Sequence, residues 1–225
     1  MKILIIEDNI ELGKDMQAYL GKEGFVCESA TSKMESIDKL AAFSYDIILL
    51  DIMLPDGSGM DILNHIKTRG IKSGVLIISA KNSLEDKIQG LDYGADDYIT
   101  KPFFLPELNA RIKSIYRRKN FDGDNYIGFE EIRINPETLE TKVHDKPLEL
   151  TRKEYELLVY FIANKNRILT KQAIAEHLWG DFADSLDSHD FVYQHIKNLR
   201  KKITNIGGSD YLSTVYGMGY KFSTK

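Results

Sequence analysis

The first half of the chain alternates short, continuous apolar runs with longer amphipathic stretches. Runs rich in Ile, Leu and Val are typical of strands buried on both faces of a parallel sheet, and the amphipathic stretches between them are typical of connecting helices. The sequence therefore predicts an open α/β fold that continues to about Arg118. Four of the apolar runs end in polar residues, which are Glu7 with Asp8, then Asp51, Ser79 and Lys101.

These polar residues favour a site that handles a phosphoryl group. In open parallel sheets, ligands bind at the carboxyl ends of the strands, so we expect the side chains to converge on one crevice. Asp51 follows the most hydrophobic run and is the candidate nucleophile toward phosphorus. Glu7 and Asp8 offer the oxygen ligands that Mg²⁺ prefers, and the cation would offset the repulsion between clustered carboxylates and a phosphate. Lys101 and Ser79 can contact phosphate oxygens.

The pattern changes after a polar, turn-rich stretch that follows Arg118. Beyond it, short strand-like pieces are separated by Pro136 and by a turn at 145–147, which predicts an antiparallel sheet. We assign residues 1–118 to a first domain, 119–125 to a linker and 126–225 to a second domain.

Three helices are predicted in the second domain. Thr151 and Glu154 have the spacing of a capping box, which opens the first helix. Thr170 caps the second, and the third runs from about residue 187 to 203. A hairpin with its turn at 217–219 follows. Three helices followed by a strand hairpin form the outline of a winged helix.

The third helix has one apolar and one polar face. Its apolar residues, from Val192 to Ile203, recur at the spacing of helical turns, so this stripe faces the core. Residues 191–209 contain no acid. A charged outer face is also normal for a solvated helix, but a basic stripe followed by a hairpin favours DNA recognition. The candidate contacts are Gln194, Lys197, Asn198, Arg200, Lys201 and Lys202 on the helix, and Tyr216 and Lys221 on the hairpin.

Composition bounds the remaining possibilities. The net charge of -4 argues against nucleic acid on its own, and neither half is basic overall, so the basic stripe is a local feature. The only cysteine, Cys27, excludes an internal disulfide and suits a reducing compartment. Because no apolar run approaches the roughly 18 residues of a membrane span, we expect a soluble, cytoplasmic protein with no membrane partner.

The first domain resembles the receiver domains of two-component response regulators. The resemblance implies a doubly wound, five-stranded parallel sheet of the flavodoxin/CheY-like type and phosphorylation of Asp51 by a sensor histidine kinase. It also implies Mg²⁺ held by Glu7, Asp8, Asp51 and the backbone carbonyl of Met53, and a switch formed by Ser79, Tyr98 and Lys101. A cis peptide bond between Lys101 and Pro102 is common in the family. The matching segments are 3–9 (ILIIEDN), 46–63 (DIILLDIMLPDGSGMDIL), 76–81 (LIISAK) and 94–103 (GADDYITKPF).

The switch has a physical rationale. A phosphoryl group on Asp51 adds acceptor oxygens that attract the Ser79 hydroxyl and the Lys101 ammonium. Their movement would leave space into which the Tyr98 ring can rotate, and the outer face of the domain would change shape.

The second domain resembles the winged-helix effector domain of OmpR/PhoB-type regulators. The resemblance implies transcription regulation at double-stranded promoter DNA, with RNA polymerase as a candidate further partner. Tyr216 stands where members often have an arginine that reaches toward the minor groove, so the resemblance does not extend minor-groove insertion to this hairpin. Asn198 stands where a basic residue is frequent, so base preference should differ from that of better-known members. The matching segments are 150–161 (LTRKEYELLVYF), 195–203 (HIKNLRKKI) and 214–222 (TVYGMGYKF).

The resemblance also implies symmetric pairing of phosphorylated receivers through the fourth helix, fifth strand and fifth helix. Dimers of this kind would bind direct-repeat half-sites about one DNA turn apart. The predicted interface consists of Lys87 with Glu107, Asp97 with Arg111, and Asp96 with Arg118, around apolar Ile88, Leu91 and Ala110.

Two other classes compete with this interpretation. A haloacid-dehalogenase-like phosphatase also uses an Mg²⁺-bound aspartate, but it needs a second carboxylate two residues later, where this chain has Met53. We therefore expect no enzyme beyond Mg²⁺-dependent self-phosphorylation and slow autodephosphorylation. A regulator that binds DNA without phosphorylation would normally have lost part of the acidic pocket, and this chain retains every part.

Overall fold

The computed structural model describes residues 1–81, 83–121, 126–136, 138–180 and 188–224, with the backbone alone at 188–190. It divides into two compact units, Met1–Lys119 and Asn120–Lys225. Part of the predicted linker, 122–125, and the predicted helix start at 187 lie outside the described residues. Within the described ranges, no helix is both long and apolar enough to cross a membrane.

The first unit alternates strands and helices along the chain. In order, these are β1 (Lys2–Ile6), α1 (Ile10–Lys22), β2 (Val26–Ala30), α2 (Lys33–Ala42), β3 (Ile47–Asp51), β4 (Met53–Leu54), β5 (Gly57–Ser58), α3 (Gly59–Thr68), β6 (Gly74–Ser79), α4 (Leu84–Asp92), β7 (Asp97–Thr100) and α5 (Leu105–Asn120). Five strands form a parallel sheet in the order β2-β1-β3-β6-β7. The predicted five-stranded, doubly wound sheet is confirmed.

The strand order places the functional residues at one edge of the sheet. Every residue of β1, β3 and β6 is buried, as expected for strands covered by helices on both faces. Successive strands are added on one side of β1 and then on the other, so the strand order reverses between β1 and β3. This is the topological switch point where such folds bind ligands. Glu7 follows β1 and Asp51 ends β3, so both side chains lie at this point.

Side-chain caps begin the helices around this edge. Asn9 accepts a hydrogen bond from the Leu12 N–H at the start of α1, and Ser58 accepts one from the Met60 N–H at the start of α3. Each cap satisfies a backbone donor that has no partner within its helix. The loops that carry the acidic residues are therefore fixed to the helices that follow them.

Helix α5 is longer than predicted. Its apolar residues Leu108, Ile112 and Ile115 are fully buried, as their spacing predicts. The helix continues to Asn120, so its last two residues fall within the predicted linker, 119–125. No helix-breaking residue interrupts 117–120, and the basic residues of this last turn interact favourably with the helix dipole.

The described residues of the second unit form two antiparallel sheets and three helices. In order, its elements are β8 (Ile127–Phe129), β9 (Ile132–Ile134), β10 (Thr141–Val143), β11 (Lys146–Pro147), α6 (Arg152–Ala163), β12 (Ile168–Leu169), α7 (Lys171–Trp179), α8 (Ser188–Asn205), β13 (Leu212–Val215) and β14 (Gly219–Phe222). The first sheet has the order β11-β10-β9-β8 and the second β12-β14-β13.

Two predicted turns are displaced by one or two residues. The turn after β10 uses His144 and Asp145, which both have positive φ, and Lys146 already pairs with Val143. In the closing hairpin, Gly219 is the first residue of β14 and pairs with Val215. The turn therefore occupies 216–218. A Cβ on Gly219 would lie 2.1 Å from the Leu169 carbonyl oxygen, so only glycine fits this approach of β14 to β12.

The predicted caps and the apolar stripe of the second unit are confirmed. The capping box of Thr151 and Glu154 opens α6, and Thr170 caps α7. The stripe from Val192 to Ile203 is buried in the core, which fixes the opposite side of α8 as its solvent face. Helix α8 ends at Asn205, two residues beyond the predicted end.

Candidate functional site

Three acidic side chains meet at the carboxyl edge of the parallel sheet. Glu7 and Asp51 are 3 % and 2 % exposed, whereas Asp8 is exposed to solvent. One carboxylate oxygen from each of the three residues lies within 4.8 Å of the others. Clustered carboxylates with one open side fit Mg²⁺, which takes oxygen ligands and retains water molecules. Mg²⁺ therefore fits this group of side chains.

Lys101 reaches the same point from the loop after β7. Its Nζ lies 2.5 Å from Asp51 Oδ2 and 2.8 and 2.7 Å from the two carboxylate oxygens of Glu7. Burial, reinforced by the charge of Asp51, raises the pKa of Glu7 even though Lys101 acts to lower it. Burial also opposes the charge of Lys101, but the two carboxylates outweigh it and raise the Lys101 pKa. The peptide bond between Lys101 and Pro102 is cis.

The loop after β3 holds the backbone around Asp51 in place. The Met53 N–H donates a hydrogen bond to Asp51 Oδ1 at 2.9 Å, and the Gly59 N–H donates to the Ile52 carbonyl at 2.8 Å. A Cβ on Gly59 would lie 2.1 Å from the Asp51 carbonyl oxygen. The chain thus folds back against the backbone of Asp51, and glycine is required at this contact. The Met53 side chain is half exposed.

Asp56, which the sequence analysis did not single out, ties this loop to α2. Its carboxylate accepts hydrogen bonds from the Lys33 N–H at 2.7 Å and the Met34 N–H at 2.9 Å. These bonds lower the pKa of Asp56. Lys33 also donates from its side chain to Asp61 at 2.6 Å. An acid in a Pro-Asp-Gly turn was the available signal, but its partner lies more than twenty residues earlier, beyond the reach of local patterns.

Ser79 and Tyr98 are linked through the backbone of one residue, Lys81. Ser79 is fully buried, and its Oγ accepts a hydrogen bond from the Lys81 N–H at 3.1 Å. The Tyr98 hydroxyl donates to the Lys81 carbonyl at 3.0 Å. The Tyr98 ring is 8 % exposed and is thus already turned inward. In the switch predicted from the sequence, this inward rotation follows phosphorylation. A Cβ on Gly90 of α4 would lie 3.2 Å from this ring, so α4 packs closely upon it.

The residues of the predicted dimer interface lie on α4, β7 and α5, apart from Asp96, which directly precedes β7. Arg111 pairs with Asp97 and with Glu107 of the same chain, at 2.9 Å in each case. Arg118 donates a hydrogen bond to the backbone carbonyl of Asp96 at 3.0 Å, and Lys119 Nζ forms an ion pair with the Asp96 carboxylate at 3.2 Å. These charges therefore have partners within one chain. Ile88, Leu91 and Ala110 are exposed, and Lys87 is half-buried.

The solvent face of α8 carries four of the predicted DNA contacts. Lys197 and Lys201 are exposed, and Gln194 and Asn198 lie beside them on successive turns. The Gln194 side-chain amide donates to the Asn198 oxygen at 2.9 Å. Because these two side chains already hydrogen-bond to each other, they present a joint arrangement of donors and acceptors. On the hairpin, Tyr216 is 94 % exposed and Lys221 is half-buried in β14.

Two other predicted DNA contacts on α8 instead pair with acids of their own domain. Arg200 Nε lies 3.0 Å from Asp210, and its Nη2 donates to the Leu212 carbonyl. Lys202 Nζ lies 2.7 Å from Glu154 in the first turn of α6. The sequence pattern identifies Glu154 as part of a capping box, but nothing in the local sequence connects it to Lys202, 48 residues later.

Comparisons with known proteins agree with the architecture of both units. Residues 3–113 match the response regulator receiver domain family, and residues 145–222 match the C-terminal domain of transcriptional regulatory proteins. The transcriptional regulatory protein CiaR of Streptococcus pneumoniae is 38 % identical over 98 % of this chain and 97 % of its own length. The transcriptional regulatory protein QseB of Escherichia coli O157:H7 is 34 % identical over the full length of both chains.

A solved structure is similar to the first unit. The receiver domain of the Francisella response regulator 1452 superposes with a TM-score of 0.51 at 32 % identity, and the match covers 52 % of this chain and 97 % of that chain. Both domains of this chain thus match domains of transcriptional regulators. This family is not one of classical enzymes. The chain belongs to the OmpR/PhoB-type response regulators of two-component systems, with a DNA-binding C-terminal domain that makes it a transcriptional response regulator.

Proposed function

We propose that a sensor histidine kinase phosphorylates Asp51 in an Mg²⁺-dependent reaction and that phosphorylation controls promoter binding by the second domain. The observation that carries this proposal is the position of Asp51, which is buried beside Glu7 and Asp8 and held by Lys101. A carboxylate at this point is oriented, partly desolvated and matched with a cation. These are the conditions under which it acts as a nucleophile.

Phosphoryl transfer assigns a task to each of these side chains. An Asp51 carboxylate oxygen forms the new bond to phosphorus, and the bond from phosphorus to the kinase histidine breaks. Glu7, Asp8, Asp51 and the Met53 carbonyl would hold Mg²⁺, which neutralises phosphoryl oxygens when bound. Lys101 supplies a further positive charge beside the Asp51 carboxylate.

The same residues would transmit the phosphorylation state to the outer face. A phosphoryl group on Asp51 attracts the Ser79 hydroxyl and the Lys101 ammonium. The Lys81 N–H donates a hydrogen bond to Ser79, and the Lys81 carbonyl accepts one from Tyr98. Movement of Ser79 therefore reaches the Tyr98 ring through the backbone of one residue. Because Tyr98 is already turned inward, we infer that phosphorylation stabilises this arrangement instead of creating it.

The outer face that Tyr98 borders is the proposed dimer interface. Exposed Ile88, Leu91 and Ala110 provide its apolar centre, and the ion pairs of Arg111 provide its charged rim. Paired receivers would bring two DNA-binding domains to direct-repeat half-sites, with RNA polymerase as a further partner.

A hydrolytic enzyme is the competing proposal for the pocket. It needs an acid or base two residues after the nucleophile, where Met53 supplies only a half-exposed thioether side chain. The acidic pocket therefore supports a transient phosphoryl acceptor, with slow autodephosphorylation, over a turnover enzyme.

Phosphorylation is tested by incubating the full chain with Mg²⁺ and a small phosphodonor such as acetyl phosphate. We expect the intact mass to rise by one phosphoryl group in the wild type and not in Asp51→Ala. A mass increase that persists in Asp51→Ala, or no increase in the wild type, would contradict the proposal.

DNA recognition is tested by selecting duplexes from a random-sequence library with the phosphorylated protein. We expect Lys201→Ala to weaken binding to all duplexes, and Gln194→Ala or Asn198→Ala to change the selected sequence. The selected duplexes should contain direct repeats. Inverted half-sites alone would contradict the direct-repeat arrangement, and equal selection by all four proteins would remove α8 as the recognition helix.

A further inference from the structure

Lys201 and Lys202 are neighbours in the sequence but occupy different environments on α8. Lys201 lies on the exposed face with Lys197. Because successive residues of a helix are rotated by about 100°, Lys202 projects to the side of α8 instead. There its Nζ lies 2.7 Å from Glu154 Oε2, across the contact between α8 and α6.

The carboxylate that receives Lys202 is nearly inaccessible to solvent. The Glu154 side chain is 3 % exposed, whereas that of Lys202 is 37 % exposed. The same Glu154 oxygen accepts the Thr151 N–H at 2.8 Å as part of the capping box. Burial opposes ionisation of Glu154, but the bonds from Lys202 and Thr151 outweigh it and lower its pKa. Glu154 is therefore a fixed anion at the start of α6.

A buried anion restricts what Lys202 can do. If Lys202 turned toward a DNA phosphate, it would leave Glu154 buried without a compensating charge, which is strongly unfavourable. No comparable cost applies to Lys201, which is exposed. The two lysines thus differ in whether the ammonium group is free to contact a DNA phosphate and so release counterions from the DNA.

We propose that Lys202 is a positioning residue that sets the orientation of α8 through Glu154, and that it does not contact DNA phosphate. The proposal rests on the proposed DNA recognition by α8. It divides the basic stripe of this helix into two functions: Lys197 and Lys201 contact the nucleic acid, and Lys202 fixes the helix that presents them.

The salt dependence of binding distinguishes the two functions. Each phosphate contact adds about 0.9 to the slope of log K against log salt concentration, because a bound cation releases counterions. A positioning residue adds nothing to this slope. It changes instead the ratio of specific to non-specific affinity, because a misoriented helix loses base contacts while its charge remains near the DNA.

The experiment compares Lys202→Gln with its matched control, Lys201→Gln, in the phosphorylated full-length protein. The probes are a duplex that the wild type selects from a random library and an unrelated duplex of equal length. We expect Lys201→Gln to weaken binding to both and to reduce the slope by about 1. Lys202→Gln should leave the slope unchanged and reduce the affinity for the selected duplex alone. We expect a reduction of about five- to tenfold, which corresponds to the lower range for the loss of one bidentate base contact.

Three further variants separate positioning from loss of folding. Lys202→Arg keeps the ion pair and should restore wild-type selectivity. Glu154→Gln keeps the capping box, since glutamine also serves at this position, but releases Lys202. Glu154→Gln should lower the ratio of the affinity for the selected duplex to that for the unrelated duplex, as Lys202→Gln does. The affinity for the unrelated duplex should not fall. The double variant Lys202→Gln with Glu154→Gln should be no worse than either single variant, because both remove the same interaction.

The outcomes identify which proposal fails. A slope reduced by about 1 in Lys202→Gln, or an unchanged affinity ratio in Glu154→Gln, would overturn the positioning role while leaving DNA recognition by α8 intact. Failure of the wild type to select any duplex would instead overturn the proposed DNA recognition itself.

Discussion

The ammonium nitrogen of Lys101 lies 2.5 Å from Asp51 Oδ2, so the proposed phosphoacceptor has a positive charge directly beside it. The two residues come from different strand ends and are 50 positions apart in the chain. Lys101 also contacts both oxygens of Glu7, which makes it the cation that balances two buried acids. This balance explains how the pocket keeps its acids close together before any phosphoryl group arrives.

Lys101→Met should destabilise the protein most strongly when divalent cations are absent. The substitution leaves Glu7 and Asp51 without their cation, and removal of one partner from a buried pair costs about 3 kcal/mol of unfolding free energy. Mg²⁺ should recover part of the loss, because a ligand of the native state stabilises it by mass action. Urea unfolding in chelator and in Mg²⁺ measures both effects.

The control for this prediction is Lys81→Met. Lys81 pairs with Asp86 at 3.5 Å, and its side chain is 50 % exposed, so its loss should have little effect in either condition. Equal destabilisation by the two variants would contradict the role of Lys101.

Gly59→Ala should disrupt the acceptor site, whereas Gly13→Ala should not. The new Cβ at Gly59 would lie 2.1 Å from the Asp51 carbonyl oxygen, and this oxygen belongs to the backbone, so the loop must shift. We expect a loss of about 1–3 kcal/mol in stability and slower phosphorylation by acetyl phosphate. Gly13 lies within α1 with nothing within 4 Å of its Cβ position, so alanine should stabilise the helix by up to about 1 kcal/mol.

Both alanine variants are measured by chemical unfolding and by the rate of mass increase with the phosphodonor. Wild-type phosphorylation in a folded Gly59→Ala protein would show that the close approach of α3 to Asp51 is unnecessary.

The Glu154–Lys202 pair should make the free energy of unfolding depend on pH below the ordinary pKa of a glutamate. The pKa of Glu154 is lowered from 4.5 in the folded protein. Because the folded protein binds this proton less tightly than the unfolded chain does, the ionised carboxylate contributes stability above pH 4.5. That contribution is lost as the pH falls through the folded pKa.

Glu154→Gln should therefore reduce stability near neutral pH and approach the wild type in acid. Unfolding free energies measured across this range test the sign, and Glu149→Gln, at an exposed residue, is the control. A difference between wild type and Glu154→Gln that grows as the pH falls would contradict the assignment.

Arg111→Glu should prevent dimerisation without preventing phosphorylation. The substitution places a like charge beside Asp97 and Glu107, which Arg111 neutralises in the same chain. On a two-fold axis the repulsion occurs twice. Sedimentation of the phosphorylated protein should give a monomer for Arg111→Glu and a dimer for the control Arg69→Glu, at an exposed residue of α3's C-cap. A phosphorylated Arg111→Glu dimer would remove this face as the interface.

The sequence predicted the elements that depend on local pattern. Continuous apolar runs identified the buried strands, and the polar residues at their ends identified the acidic pocket, because parallel strands end at the same edge of a sheet. Side-chain spacing also identified the capping box of α6 and the buried stripe of α8. These features follow from continuous apolar runs, from the helical period of 3.6 residues or from short capping motifs. All three are visible within a short window of sequence.

Other features depend on residues that are far apart in the chain. The ion pair of Lys101 with Glu7 joins residues 94 positions apart. Nothing in the local sequence revealed that Asp56 bonds to the start of α2, or that Tyr98 is already turned inward.

What the sequence alone determined is which faces are apolar, where strands end and which chemical groups stand there. What only the tertiary structure decided is which charged group meets which. Lys201 and Lys202 illustrate the difference, since identical side chains one residue apart have different surroundings: one is solvated, and the other is bound to a buried carboxylate. Helical periodicity fixes the direction of a side chain, but the packing of α6 against α8 supplies its partner.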